Sequence, residues 1–385
     1  MTEEKNAAGV RLQYIDNIRI LLTTLVILFH AATTYGAPGL WYYIESQPDL
    51  VTYFVFSLFA TFNQAFFMGL FFLIGGFFTP ASYDRKGAAR FLKDRFIRLA
   101  IPIIFYIIII DPSISYLLAS HVGGFTGTLS EFVHQYLQHY TGLHVGPLWF
   151  TQNLLLFAVV YALYRQIAGW SGKSSPRILR KPTTKGTVVL ALVLGLVTFL
   201  MRMRFPVMHF TNYLNLQFAH FSQYVSLFVV GTIAYRSGWL TDIQLSMVKK
   251  WFGVVLCFVF VVSPVMFILG GAMEGNIQPY LGGFCWQAFV YAVGEQFVGV
   301  GMIIGLLSLF YNKFNYQGKL FKSLASSCYT AYIIHPVVLV LIAIAIRSIS
   351  LHPLLKFFVL GIIAVPVCFA LGGAIRKLPL AGRIL

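Results

Sequence analysis

The sequence predicts an all-α fold, a polytopic membrane helical bundle of about ten transmembrane helices, and three observations carry that expectation. Of its 385 residues, 58% are hydrophobic and only 10% charged, with a mean hydropathy of +0.77. A soluble domain usually carries about 25% charge, so this chain has too little to coat a water-exposed surface. Apolar runs of bilayer-crossing length recur from one end to the other. The basic residues gather in alternate connections between those runs, as the positive-inside rule requires. The 37 Phe and 21 Tyr fit lipid-facing helices with aromatic belts at both interfaces.

Roughly 20 apolar residues span the hydrocarbon core. In order, the segments that qualify are Ile18–Tyr35, Val51–Phe78, Phe96–Leu118, Leu148–Ala168 and Thr187–Met201, then Phe218–Tyr235, Trp251–Gly271, Phe284–Tyr311, Ser326–Ile346 and Leu354–Ile375. The leading MTEEKNAAGVR carries two glutamates and runs into a segment holding Arg19 and His30. That is a poor match to a cleavable signal, so the segment reads as a mature first helix. No linker, repeat or low-complexity tract sets off a soluble part, and residues 1–385 read as a single membrane domain.

Ten crossings put both termini on one side. With the N-terminus inside, the inner stretches hold Lys5 and Arg11, the group Arg85 to Arg98, the group Arg165 to Lys185, and Arg236 with Lys249 and Lys250. They also hold Lys313, Lys319 and Lys322, and finally Arg376, Lys377 and Arg383. The outer side receives only Arg202, Arg204, Arg347 and Lys356, and Arg19 lies within the first helix. Both termini are therefore expected in the cytoplasm, beneath a cell inner or plasma membrane. The same arrangement accounts for the net charge of +16 without nucleic acid, since no basic run is interleaved with a recognisable binding module. Cys257, Cys285, Cys328 and Cys368 form neither a CxxC pair nor a metal motif, so no disulfide framework and no metal are expected.

The outer loops differ from the inner ones. Pro38–Leu50 carries Glu45 and Asp49 without a base. Ser113–Pro147, the longest outer connection, holds His121, Glu131, His134, His139 and His144, again without Lys or Arg. Such a loop either packs at the interface or lines a site for a polar substrate.

Chemistry concentrates in a few places. Arg19 and His30 are eleven residues apart, which on an α-helix is three turns plus about 20°, so both project from one face with roughly 16 Å between them along the axis. Asp16, one turn before Arg19, has the spacing of an intrahelical ion pair. An unpaired charge inside a span costs at least about 2.5 kcal/mol, so Arg19 must meet protein, water or a ligand anion. In SYDRKGAARFLKDRFIRLAIP, Arg85 and Lys86 fit anchors near anionic membrane lipid. Arg95 and Arg98, at i and i+3 where an apolar helix begins, are expected to face one way and suit phosphate, which guanidinium binds with paired donors. Trp149 in Gly146-Pro-Leu-Trp-Phe150 reads alone as an interfacial anchor, Gly75-Gly76 as a helix-packing pair, and His335 before Pro336 as a kink residue. Glu295 is an acid within the eighth apolar segment.

Together these fragments resemble the acyltransferase-3 family of integral membrane O-acyltransferases. The resemblance rests on D-x-x-R-x(10)-H in the first helix, F-F-x-x-x-G-x-F closing the second, and R-F-x-R-L-x-x-P opening the third. L-W-F in the fourth and S-C-Y-T-A-Y-I-I-H-P near the C-terminus complete it. The plain architecture is similar to the subgroup that decorates periplasmic glycans, including the succinylating enzyme of periplasmic glucans. Gly75 stands where Ser is usual, and Cys328 where a Ser would precede Tyr329.

The resemblance implies transfer of an acetyl or similar short acyl group from cytoplasmic acyl-CoA, a donor substrate and not a tightly bound cofactor, to a hydroxyl of a carbohydrate or lipid-linked acceptor. Arg95 and Arg98 would meet the CoA phosphates, with Arg19 deeper along the donor path. His30, in the outer half, would act as general base on the acceptor hydroxyl, for which an unperturbed pKa of about 6.5 is apt. Asp16, Trp149, Glu295, Tyr329 and His335 are the further site candidates. The competing reading is a transporter or channel with Arg19, His30 and Glu295 lining a path. Such a protein should show matched, interrupted half-helices in its two halves, and the sequence has no such pair.

Overall fold

The computed structural model describes residues 12–384 apart from 46–47, 141, 171–177, 212–213, 215, 242–244 and 273. The MTEEKNAAGVR stretch, with Lys5 and Arg11, lies outside the described residues, as do Lys173 and Arg177. Every regular element among the described residues is helical. The helices are α1 Gln13–Thr34, α2 Leu50–Gln64, α3 Phe67–Arg95, α4 Ile101–Phe105, α5 Asp111–His121, α6 Leu129–Gln138, α7 Trp149–Trp170 and α8 Thr184–Arg204. They continue with α9 Phe221–Ser237, α10 Leu245–Cys257, α11 Ser263–Leu269, α12 Gln278–Leu281, α13 Trp286–Lys313, α14 Lys319–Ala345, α15 Pro353–Ile375 and α16 Ala381–Ile384.

Among the described residues, 8 helical stretches are long and apolar enough to cross a membrane, judged by length and composition. One of them, Leu50–His121, is 72 residues long, far more than a single crossing needs. It changes direction at Gly87, whose φ of +73° is open to glycine and strained for other residues. Split there, it supplies two crossings, and α9, with 17 residues, supplies another. Those segments correspond to the ten read from the sequence.

Two of the spans are not plain α-helix. π turns occupy Phe96–Ala100, Tyr106–Ile110 and Phe258–Val262, and each ends two residues before a proline, at Pro102, Pro112 and Pro264. The cause is local. A helical proline has no N–H for the carbonyl four residues back and its ring crowds that carbonyl, so widening the preceding turn relieves both problems. Ser263 helps by donating its hydroxyl to the Phe258 carbonyl at 2.8 Å. The second apolar segment is also interrupted, at Ala65–Phe66 between α2 and α3. Gly299 of α13 lies so close that a Cβ there would stand 2.3 Å from the Ala65 carbonyl oxygen. Gln223 of α9 donates to the same oxygen at 2.8 Å, so the broken backbone is satisfied by protein, as lipid depth demands.

The most extensive pairing is α3 against α9. Cβ atoms built on Gly76 and Gly231 would each lie 2.1 Å from a backbone oxygen of the opposite helix, Phe228 and Leu73 respectively. Glycine is what lets the two backbones touch. α1 runs through the middle, packed by α13, α14 and α15, with Ile15, Ile18, Leu22 and Ile27 fully buried. Asn17 fixes its N-terminal end by donating to the Phe314 and Tyr316 carbonyls at 2.7 and 3.0 Å.

Two features expected on the outer side differ from the sequence reading. The long connection Ser113–Pro147 contains α6, started by a capping box in which Thr128 and Glu131 satisfy each other's backbone N–H groups. Arg202 and Lys356, expected in outer loops, are buried in α8 and α15. Each has an acid to meet. Lys356 pairs with Glu45 of the loop after α1, and Arg202 with Glu295.

Candidate functional site

The end of α1 carries Phe29 and His30 to the wall of a cavity of about 500 Å³. Other parts of its wall come from the loop 38–42, the inward face of α2, the Gly146–Trp149 turn, and Tyr291 of α13 and Tyr332 of α14. It is an aromatic chamber. Asp111 is the only Asp, Glu, Lys or Arg side chain among its described lining residues.

His30 is held between two rings. The Trp41 indole stacks on it with centroids 4.2 Å apart and planes at 18°. On another side His335 Nε2 lies 3.0 Å from His30 Nδ1. His335 is fully buried in α14, and its Nδ1 lies 2.5 Å from the Tyr332 carbonyl oxygen. Sequence reading treated His335 as a separate candidate; the structure makes it the direct partner of His30.

Asp111 anchors a second wall. Tyr42 donates to it at 2.6 Å, Tyr136 donates to its other oxygen, and His144 Nδ1 stands 3.6 Å away. Burial, with the neighbouring Tyr106 and Asp111 adding to it, pushes the Tyr42 hydroxyl well above its ordinary range. Burial likewise raises Tyr136, helped by its hydrogen bond to Asp111, so both remain donors. Gly146 fits here because its φ is +47° and a Cβ would meet the Tyr42 and Tyr106 hydroxyls at 2.5 and 2.6 Å.

Behind the third wall is a buried ion pair. Arg202 of α8 pairs with Glu295 of α13, and its Nε donates to the Ala219 carbonyl at 3.3 Å. His220, which lines the cavity, places Nδ1 3.2 Å from Glu295 Oε1. The Arg202 guanidinium lies 5.2 Å from the centre of the Tyr291 ring, another lining residue. Trp149 joins this wall by stacking on Tyr224, which in turn stacks on His220.

The other predicted residues sit at the opposite end of the bundle. Asp16 and Arg19 form the expected pair at 3.2 Å. Tyr329 of α14 donates to the Arg98 backbone carbonyl at 2.8 Å. The S-C-Y run of α14 thus reaches the start of the third apolar segment. Arg98 lies inside the π turn Phe96–Ala100 that follows α3. Arg95 lies over the Phe91 ring at 5.2 Å, and Arg98 is exposed. Lys86 is tied to Asp94 across the Gly87 turn.

Sequence reading missed Trp41, Tyr42, Asp111, Arg202 and His220 as site residues. Asp111, after four isoleucine-rich positions and before Pro112, and Arg202, at the end of an apolar run, were visible as charges where charge is costly. Of the histidines in the long outer loop, His144 alone is among the described cavity-lining residues.

Fold and site define an integral membrane protein with an aromatic, histidine-bearing chamber at one end and a basic cluster at the other. The acyltransferase domain model of the acyltransferase-3 family matches residues 12–373, and the chain belongs to that family. It is a membrane acyltransferase. No curated protein and no solved structure matches the chain.

Proposed function

We propose that this protein transfers an acetyl or similar short acyl group from cytoplasmic acyl-CoA to a hydroxyl of a carbohydrate or lipid-linked acceptor seated in the chamber. The observation that carries the reading is the placing of His30 at the chamber wall, three helical turns from Arg19 on the same helix. The distribution of basic residues supports a cytoplasmic position for Arg95, Arg98 and both termini, and an outward position for the chamber. CoA phosphates would be held by Arg95 and Arg98, with Arg19 along the path of the pantetheine arm.

In the reaction, a His30 ring nitrogen takes the acceptor hydroxyl proton as the oxygen attacks the thioester carbonyl. The carbon–sulfur bond breaks, and the departing thiolate receives that proton to leave as free CoA thiol. The products are the acyl ester and CoA. As for the transporter reading, Glu295 is engaged by Arg202 and His220, and neither it nor Arg19 is among the described residues that line the chamber with His30.

General-base catalysis contributes about 10²–10⁴-fold. The test is single-turnover acyl transfer by purified His30→Gln protein, with acyl-CoA binding measured on the same sample. Loss of rate in that range with donor affinity intact is expected. Near-normal turnover in the Gln variant returns His30 to a structural role.

A further inference from the structure

We infer that His335 is a positioning residue that sets the tautomer of His30, and that Pro336 makes it so by freeing one carbonyl. The inference rests on His30 being the base. Within α14, the Tyr332 carbonyl would ordinarily accept the N–H of residue 336. Pro336 has none. His335 Nδ1 lies 2.5 Å from that oxygen, and a carbonyl only accepts, so Nδ1 carries a proton. In the neutral ring Nε2 then bears the lone pair. Nε2 is 3.0 Å from His30 Nδ1, so His30 must donate from Nδ1. The lone pair of His30 is left on Nε2, the only nitrogen not committed to His335.

Each link in this chain is fixed by the one before it. Trp41, stacked on His30 and near-parallel to His335 at 14°, keeps the two rings from turning out of register. When His30 Nε2 takes the acceptor proton, the resulting imidazolium still donates from Nδ1 to His335, which spreads the new charge over a buried acceptor. A second proton on His335 Nε2 would reverse the bond, place the His30 proton on Nε2 and remove the base.

Turnover and donor KM are measured for His335→Leu, His335→Gln, Pro336→Ala and His30→Ala, with donor binding confirming a folded chain. Changing the partner that fixes the tautomer of a histidine base costs up to about 10⁴-fold in a serine-protease triad, so His335→Leu is expected to lose at least about 10-fold in kcat with donor KM unchanged. His335→Gln keeps an acceptor near the same point and should recover most of the loss. Pro336→Ala supplies an N–H that competes for the Tyr332 carbonyl, and kcat should fall without any change at His335 itself. Unchanged turnover in His335→Leu and Pro336→Ala overturns the inference. So does a His335→Gln variant as inactive as His30→Ala, because His335 would then be the proton acceptor. If His335→Leu does not fold, Pro336→Ala decides alone, and wild-type kcat in it overturns the inference. Retained turnover in His30→Ala defeats the base reading itself, whatever the His335 variants do.

Discussion

Replacing Arg202 by Met should destabilise the protein more than replacing Arg202 and Glu295 together. The side chains of the pair are 0% and 1% exposed, so neither charge can recover water if its partner goes. Breaking a buried pair by removing one partner costs about 3–5 kcal/mol, whereas exchanging both for apolar groups of similar volume is often neutral or better. Arg202→Met leaves the Glu295 carboxylate with only His220, 3.2 Å away. Glu295→Leu leaves the guanidinium with the Ala219 carbonyl, His220 and the Tyr291 ring. Each single change should therefore cost about 3–5 kcal/mol, and the Arg202→Met/Glu295→Leu pair less than either. The assay is thermal unfolding in detergent followed by tryptophan fluorescence, for which Trp149 is a local reporter through Tyr224 and His220. A double variant that melts at or below the sum of the two single losses would refute the reasoning, because the charges would then be acting independently.

Two further outcomes are expected. Arg95→Ala or Arg98→Ala should weaken acyl-CoA binding by about 1.5–3 kcal/mol each, the scale of a hydrogen bond to a charged group; Arg→Lys should recover only part, and Arg85→Ala little changes it. Unaltered CoA affinity in both singles and in the double variant would return these arginines to a membrane-anchor role. Cysteines placed at Lys181 and Lys319 should label from the cytoplasm and one at Thr126 from outside, and labelling of position 126 only from the cytoplasm would invert the topology.

What the sequence made legible was whatever depends on composition along a single segment. Apolar run length located the spans because the bilayer sets that length from outside the protein. The pairing of Asp16 with Arg19 followed from helix pitch, which is the same in any environment. The π turns were not foreseen, although their prolines were in plain view, because a proline alone does not say whether the helix kinks, widens or finds another donor. Pro102, Pro112 and Pro264 follow widened turns, while Pro336 sits in unbroken α-helix and leaves its carbonyl to a histidine.

The site was half legible for a related reason. His30 stood out because it shares a helix face with a charge, but its partner is 305 residues further along the chain, and nothing in the local pattern joins the two. Arg202 and Lys356 show the same limit from the electrostatic side. Counting bases by side treats each as a solvated charge, which holds only where no acid waits within reach. Both found one, Glu295 and Glu45, at sequence separations of 93 and 311. The rule counts bases in the connections that flank the spans, and Arg202 and Lys356 lie buried within helices. Discounting the two leaves Arg204 and Arg347 as the bases on the chamber side, against the clusters at the other end. That contrast between the two ends supports the proposed placing of the acyl donor at the basic end and of the acceptor in the aromatic chamber, where Asp111 is the only Asp, Glu, Lys or Arg side chain among the described lining residues.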